Sequence, residues 1–166
     1  MKDLEFFEVP LGPIKLERLN VCDEKHIKAV CKLRDFQART MCYDLKGLVD
    51  DMKRSGDSSG NPFLVKDNAL DAFIGYMYIS NRHIGGERVL SYIVNKRLRN
   101  KGYGKIMLTS VTDFLFDEEL ASGVELYIRD ANVASKHVAV SCGFESVGES
   151  SSGIEKFLIK KNSRVK

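Results

Sequence analysis

The most informative segment of the sequence is Arg97-Leu-Arg-Asn-Lys-Gly-Tyr-Gly-Lys105. It lies between the strongest predicted strand, residues 88–95, and an amphipathic helix predicted to end near Phe116. Its two glycines, Gly102 and Gly104, allow backbone conformations or close approaches that a side chain would block. The helix N-terminus that follows carries unpaired N–H groups and positive dipole character. The segment therefore predicts a phosphate or pyrophosphate site, with positive charge supplied by Arg97, Arg99, Lys101 and Lys105.

Two common phosphate-binding motifs do not fit this segment. A Walker A loop requires Ser or Thr after its Gly-Lys pair, whereas Lys105 is followed by Ile106, and Arg99 stands where the motif needs its first glycine. The dinucleotide fingerprint requires a third glycine where the chain has Met107. A nucleotide-binding or kinase-like protein thus remains an alternative without a motif to support it.

Two blocks resemble the GNAT superfamily of N-acetyltransferases. The pattern Arg99-x-x-Gly102-x-Gly104 after a strand resembles the family's coenzyme A-binding signature, R/Q-x-x-G-x-G/A. The segment NVASKHVAVSCGF, residues 132–144, resembles the family's Asn-led helix ending in Gly-Phe. Its residue pattern is similar to that of the branch that contains ribosomal-protein N-terminal acetyltransferases. The resemblance extends loosely over almost the whole chain.

The resemblance implies a single α/β (α+β) domain over residues 1–166, with its core at about 12–161. The implied fold is a mixed, mostly antiparallel twisted sheet with helices on both faces. Coenzyme A is expected to enter where the strands at 88–95 and 124–128 splay apart.

Local patterns place the other elements. Asp23 is a candidate N-cap, and Gly143 is a candidate helix stop. Turn-forming residues predict loops over 54–62 and 148–153. The remaining predictions are a first strand at 14–19, helices at 23–33, 43–53 and 133–142, and strands at 63–66, 72–80, 146–148 and 154–159.

Composition narrows the class of protein. The chain has 166 residues, 43% hydrophobic and 30% charged, with a formal net charge of +3. These values fit one folded domain and argue against nucleic acid as a partner. Acidic residues interrupt the N-terminus, and no run of about 18 apolar residues occurs, so we expect a cytoplasmic protein without a signal peptide or membrane span. Neither C-x-x-C pairs nor zinc-finger spacing occur, which predicts no metal and reduced thiols at Cys22, Cys31, Cys42 and Cys142.

The resemblance also implies which residues hold acetyl-CoA as co-substrate. Backbone groups near Ile93 and Val94 meet the acetyl carbonyl and the pantetheine, and the amides of residues 100–105 hold the pyrophosphate. Asn132 hydrogen-bonds the pantetheine, although an ordinary N-cap is its structural alternative. Lys136 is expected to meet a phosphate. The complete predicted set is Ile93, Val94, Arg99, Asn100, Lys101, Gly102, Tyr103, Gly104, Lys105, Asn132 and Lys136.

The catalytic groups are less strongly encoded. Many family members carry a Tyr that protonates the departing thiolate where this chain has Ala139, and in the branch named above Ser135 is the candidate for that acid role. Glu87 is the first candidate for the base that takes a proton from the amine, because it begins the strand where an acid often lies. A solvated strand-end glutamate is its structural alternative, and the rival bases are Glu125, Asp71 and Tyr92.

These inferences indicate an acetyl-CoA-dependent N-acetyltransferase. The acceptor is expected to be a primary amine of a small molecule or a protein N-terminus, bound among the first two helices, the loop at 54–62 and the strand carrying Tyr76 and Tyr78. The alternative is a coenzyme A-binding regulatory module of the same fold without efficient turnover, which the Ala139 departure favours. Dimers are frequent in such folds, so a homodimer is also expected.

Overall fold

The computed structural model describes residues 4–20, 22–33 and 60–164. Within these ranges the chain forms one eight-stranded sheet and three α-helices, with short 3-10 helices at Lys96–Leu98 and Lys161–Arg164. The strands are β1 (Glu8–Leu11), β2 (Ile14–Arg18), β3 (Gly60–Asp67), β4 (Ala72–Ser80), β5 (Glu87–Val94), β6 (Gly123–Arg129), β7 (Glu145–Ser151) and β8 (Ile154–Lys160). The helices are α1 (Glu24–Lys32), α2 (Tyr103–Asp117) and α3 (Val133–Ser141).

The sheet is mixed and mostly antiparallel. Its strand order is β1-β2-β3-β4-β5-β6-β8-β7, and every neighbouring pair is antiparallel except β5 and β6. The parallel pair needs a crossover, and α2 supplies it. The predicted fold class is confirmed in this respect.

Helices cover both faces of the sheet, as expected. Side chains alternate along each strand, so Phe63 and Val65 of β3 enter one hydrophobic cluster and Leu64 enters another. The first cluster includes Met107 of α2, together with residues of α3, and the second includes Val30 of α1. The two apolar faces of the same strands therefore hold α2 and α3 on one side and α1 on the other.

A buried arginine fixes the beginning of β5. Arg88 is 1% exposed. Its Nε donates to the Leu120 carbonyl at 2.7 Å, and its Nη1 donates to the Ser80 carbonyl at 2.9 Å. These bonds tie β5 to the end of β4 and to the turn before β6, which is the point where the parallel pair begins.

Several local predictions are confirmed. β4 has the predicted bounds, and the Asp23 side chain accepts a hydrogen bond from the Lys25 amide at 2.8 Å as the N-cap of α1. Gly143 has φ +90° just after α3, the left-handed conformation that stops a helix.

Other local predictions need correction. The strand at 14–19 is not the first, because β1 precedes it as an edge strand that tolerates Pro10. Residues 60–62 belong to β3 rather than to a loop, and β7 extends to Ser151 where a loop from 148 was expected. The predicted helix at 43–53, the predicted loop residues 54–59 and Cys42 lie outside the described residues.

Candidate active site

The two parallel strands separate after a short contact. β5 and β6 pair only at Glu87 with Gly123, Arg88 with Val124 and Val89 with Glu125. β5 then continues to Val94 and β6 to Arg129 without further pairing between them. On its other side β5 stays paired with β4 as far as Val94. We call the space between the diverging strands the strand opening; it exposes one edge of β5 to any ligand that lies there.

Gly75 of β4 supports the β5 backbone beside the strand opening. A Cβ atom at this position would collide with the Ile93 carbonyl oxygen and would lie 3.2 Å from the Met107 Cε. A backbone oxygen cannot move away as a side chain can, so only glycine fits at position 75 opposite this part of β5. The same part of β5 is predicted to contact the pantetheine.

The Gly75→Ala variant is therefore expected to unfold more easily and to bind acetyl-CoA more weakly. Overpacking of this kind costs about 1–3 kcal/mol of unfolding free energy. Denaturant unfolding and calorimetric titration measure the two effects. Gly104→Ala is the control for stability, because a Cβ at Gly104 finds only contacts of 3.5 Å or longer. Equal stability of Gly75→Ala and the unmodified protein would show that β5 shifts freely at Ile93.

The glycine turn closes the end of the strand opening. Gly102 has φ +85° and is the N-cap of α2, so no side chain caps this helix. The first intrahelical bond runs from the Ile106 amide to the Gly102 carbonyl at 3.1 Å. Helix geometry leaves the preceding N–H groups without intrahelical acceptors. An anion at this turn would meet the backbone amides of residues 103–105 and the positive end of the helix dipole.

Cationic side chains surround the same turn. Arg97, Lys101 and Lys105 are exposed, and Arg99 is half-buried, with its Nε donating to the Val94 carbonyl at 3.3 Å. Arg99 thereby joins the end of β5 to the turn.

The Tyr103 side chain turns away from the predicted phosphate position. Its hydroxyl hydrogen-bonds Asp67 at the end of β3, which raises the pKa of Tyr103. The pKa of Asp67 is lowered, first by the Leu70 amide and also by Tyr103. Tyr103 can thus serve an anion at the turn only through its backbone N–H.

The first turn of α3 contains the other predicted residues. The Asn132 side-chain oxygen accepts a hydrogen bond from the Ser135 amide at 3.2 Å, so Asn132 is an N-cap. The Lys136 ammonium lies 3.0 Å from Asp130 and 3.5 Å from Glu155, and these contacts, Asp130 first, raise the pKa of Lys136. Lys136 would have to leave two carboxylates to reach a phosphate, an arrangement that the sequence did not predict.

Glu87 and Glu125 are each paired with a lysine of β8 but lie at different ends of the parallel pair. The Glu87 carboxylate lies 2.8 Å from the Lys160 ammonium, and this hydrogen bond lowers the pKa of Glu87. A lowered pKa makes a carboxylate a weaker base. Glu87 also pairs with Gly123 at the closed end of the parallel pair, two residues farther from the strand opening than Val89.

Glu125 lies at the last residue pair before the strand opening. Its carboxylate is buried, 2.9 Å from the Lys156 ammonium, and it accepts a hydrogen bond from the Tyr127 hydroxyl at 3.1 Å. Val124 and Leu126 point into the core with α2, so Glu125 and Tyr127 face the opposite, α1 side of the sheet. The sequence did not distinguish Glu125 from its rivals because its ion-pair partner, Lys156, comes from β8.

The other two rival bases are also placed. Asp71 is exposed and lies 2.8 Å from the Lys66 ammonium, which lowers the pKa of Asp71. Tyr92 points to the face that holds α2 and α3, with Ser135 and Gly104 close to it. The predicted second helix at 43–53 and the loop residues 54–59, where part of the acceptor was expected to bind, lie outside the described residues.

A protein-family model matches most of the chain. Residues 22–145 match the model for the acetyltransferase (GNAT) domain, a range well over half of the chain. The chain belongs to the GNAT acetyltransferase family. No protein of curated function matches the sequence significantly.

Solved structures show the same GNAT fold. A GNAT-family acetyltransferase from Bacillus anthracis has a TM-score of 0.74 at 14% identity, covering 93% of this chain and 99% of that one. A candidate ribosomal-protein-serine acetyltransferase from Vibrio cholerae has a TM-score of 0.73 at 16% identity, covering 93% and 97%. Spermidine N-acetyltransferase from Vibrio cholerae, in complex with CoA and spermine, has a TM-score of 0.73 at 17% identity, covering 90% and 96%.

Two further properties concern the described ranges. No three His, Cys, Asp or Glu side chains come together there in a way that could hold a metal ion. None of the helices in those ranges has the length and apolar character needed to cross a membrane.

Proposed function

We propose that this GNAT protein transfers the acetyl group of acetyl-CoA to a primary amine of a small molecule or of a protein N-terminus. The observation that carries the proposal is the strand opening between β5 and β6, which ends at the uncapped glycine turn of α2. An extended strand edge followed by an anion site matches a ligand with an amide-rich arm and a pyrophosphate.

The residues at the opening fit the two parts of such a ligand. The free edge of β5 near Ile93 and Val94 offers backbone groups to the pantetheine and to the acetyl carbonyl. The turn offers the amides of residues 100–105 to the pyrophosphate, with Arg99 nearby. The Asn132 cap uses the side-chain oxygen, so its amide nitrogen can donate to the pantetheine.

Acetyl transfer to an amine requires three functions of the protein. Bound acetyl-CoA supplies an activated thioester carbonyl. β5 backbone N–H groups orient that carbonyl and stabilise the negative charge it gains. A carboxylate takes the proton that the amine loses, and Ser135 donates a hydrogen bond to the departing sulfur. Holding the amine beside the thioester supplies much of the remaining rate enhancement.

Glu125 is the carboxylate that we assign as the base, in place of Glu87. A lysine of β8 holds each carboxylate, so position and burial decide between them. Glu125 is buried at the last residue pair before the strand opening, whereas Glu87 lies at the closed end of the parallel pair. The Tyr127 hydroxyl and the Lys156 ammonium orient the Glu125 carboxylate.

An acetylation screen tests the proposed function. The purified protein is incubated with acetyl-CoA and a panel containing a polyamine, an aminoglycoside, an amino acid and a peptide with a free N-terminus. We expect thiol release that depends on one class of amine, with a mass increase of one acetyl group on that amine. Binding of acetyl-CoA without thiol release for any amine would contradict the proposal and favour the regulatory module.

We also propose that the protein forms a homodimer. A spermidine N-acetyltransferase from Vibrio cholerae forms a dodecamer, which shows that this fold can self-associate. Light scattering during size-exclusion chromatography distinguishes a dimer from the 18.7 kDa monomer.

A further inference from the structure

The Tyr92 side chain contains a buried hydroxyl without a satisfied hydrogen bond. Among the described residues its oxygen has no partner in hydrogen-bonding geometry. The ring lies beside Gly104 and Val138, since a Cβ added at Gly104 would be 3.5 Å from the Tyr92 Cε2 and 3.7 Å from the Val138 Cγ2. Tyr92 thus stands between the first turn of α2 and α3, next to the strand opening. Buried polar groups are normally paired, so this phenol calls for an explanation.

The Ser135 hydroxyl and the Cys142 thiol both act on this phenol. Burial raises the pKa of Tyr92 to about 12, and the neighbouring Ser135 hydroxyl lowers it by a smaller amount. The phenol therefore stays protonated near neutral pH and can serve as a hydrogen-bond donor, not as a base. The structure shows no hydrogen bond between the two hydroxyls, and catalytic hydrogen bonds often tighten only when substrates are bound.

The position that carries a tyrosine in many relatives has no hydroxyl here. Ala139 is completely buried in the core, so α3 contributes no phenol at that position. Tyr92 instead brings a phenol from β5 to the first turn of α3. Ser135 lies three residues before Val138 on α3, and residues at this spacing share a helix face, so the Ser135 side chain lies on the same side of α3 as Val138, next to Tyr92.

We propose that Tyr92 is a positioning residue that donates to the Ser135 side-chain oxygen, so that the serine hydrogen points at the sulfur leaving the thioester. The inference rests on the proposed function. Neither hydroxyl loses its proton. Ser135 donates a hydrogen bond to the thiolate, which forms as the C–S bond breaks and the C–N bond forms. The base takes the proton lost by the amine, and water protonates the thiolate, whose thiol has a pKa near that of free cysteine, about 8.5.

A double-mutant cycle tests the positioning role. Tyr92→Phe and Ser135→Ala are each expected to lower kcat about tenfold, the value of one hydrogen bond, with the KM for acetyl-CoA changed less than about twofold. The double variant should be no slower than Ser135→Ala, because the residues act as a unit. Multiplied losses in the double variant, or an unchanged kcat in Tyr92→Phe, would overturn the proposal.

Thr112→Val is the matched control. The Thr112 hydroxyl in α2 is also completely buried and without a partner in the described ranges, but it lies outside the site. Removing it should leave kcat unchanged. A loss equal to that of Tyr92→Phe would assign both effects to the packing of buried hydroxyls and would overturn the proposal.

A spectroscopic measurement tests the pairing without turnover. Six tyrosines are labelled at 13Cζ, and the Tyr92 resonance is identified by its absence in Tyr92→Phe. Ser135→Ala should shift this resonance in the folded protein, and Thr112→Val should not. If the Tyr92 resonance did not shift in Ser135→Ala while the unmodified protein acetylated its amine normally, only the pairing of Tyr92 with Ser135 would be overturned. Absence of amine acetylation by the unmodified protein would overturn the proposed function and, with it, the catalytic role.

Discussion

Gly104→Glu is expected to abolish acetyl-CoA binding and leave the protein folded. The new carboxylate would lie in the first turn of α2, where it competes for the amides that the pyrophosphate needs and repels its charge. Loss of two charge-assisted hydrogen bonds costs about 3 kcal/mol, or at least about 100-fold in affinity. A glutamate at this position also complements the helix dipole, so thermal stability should be maintained. Calorimetric titration and thermal unfolding measure the two properties.

Gly104→Ala separates charge from size at the same position. A Cβ there has ordinary contacts with Tyr92 and Val138, so we expect this variant to lose at most a few-fold in affinity. Gly102→Glu should also lose binding, with a modest additional loss of stability because its φ of +85° strains any side-chain-bearing residue. Tight acetyl-CoA binding by folded Gly104→Glu would show that the pyrophosphate lies elsewhere.

Glu125→Gln is expected to lower kcat by about 100-fold, the lower end of the contribution of a general base. The amide keeps the size of the side chain but cannot take a proton from the amine. Glu87→Gln should change kcat by less than about threefold, because it breaks a partly exposed ion pair with Lys160, an interaction of small energetic value. Steady-state kinetics with the amine found in the screen compares the two variants.

The pH dependence of activity also tests the assignment of Glu125 as the base. A carboxylate base is active when deprotonated, so activity of the unmodified protein should rise with pH along an acidic limb. Glu125→Gln should remove that limb, and Glu87→Gln should retain it. If Glu87→Gln flattened the limb and Glu125→Gln did not, the base would be Glu87, as the sequence first suggested.

Local features of the fold could be predicted well from the sequence. The glycine turn, the N-cap at Asp23 and the stop at Gly143 depend on neighbouring residues, and each lies where its pattern placed it. The edge strand β1 was missed because Pro10 opposes a strand interpretation unless the strand is known to lie at an edge.

Partners far apart in the chain explain what could not be predicted at the site. Lys160 holds Glu87 from a distance of 73 residues, and Lys156 reaches Glu125 from another strand. The burial of Arg88 depends on the carbonyls of Ser80 and Leu120. No local pattern contains such pairings, so the sequence could propose carboxylates but could not rank them.

The binding of acetyl-CoA to the unmodified protein tests the site most directly. Calorimetric titration should show saturable binding with one molecule per chain, and neither ATP nor NAD should compete at equal concentration. A strand edge that recognises pantetheine explains this selectivity, since both competitors lack that arm. Folded protein that binds no acetyl-CoA, or that binds ATP or NAD equally well, would contradict the assignment of the strand opening and the glycine turn as an acetyl-CoA site.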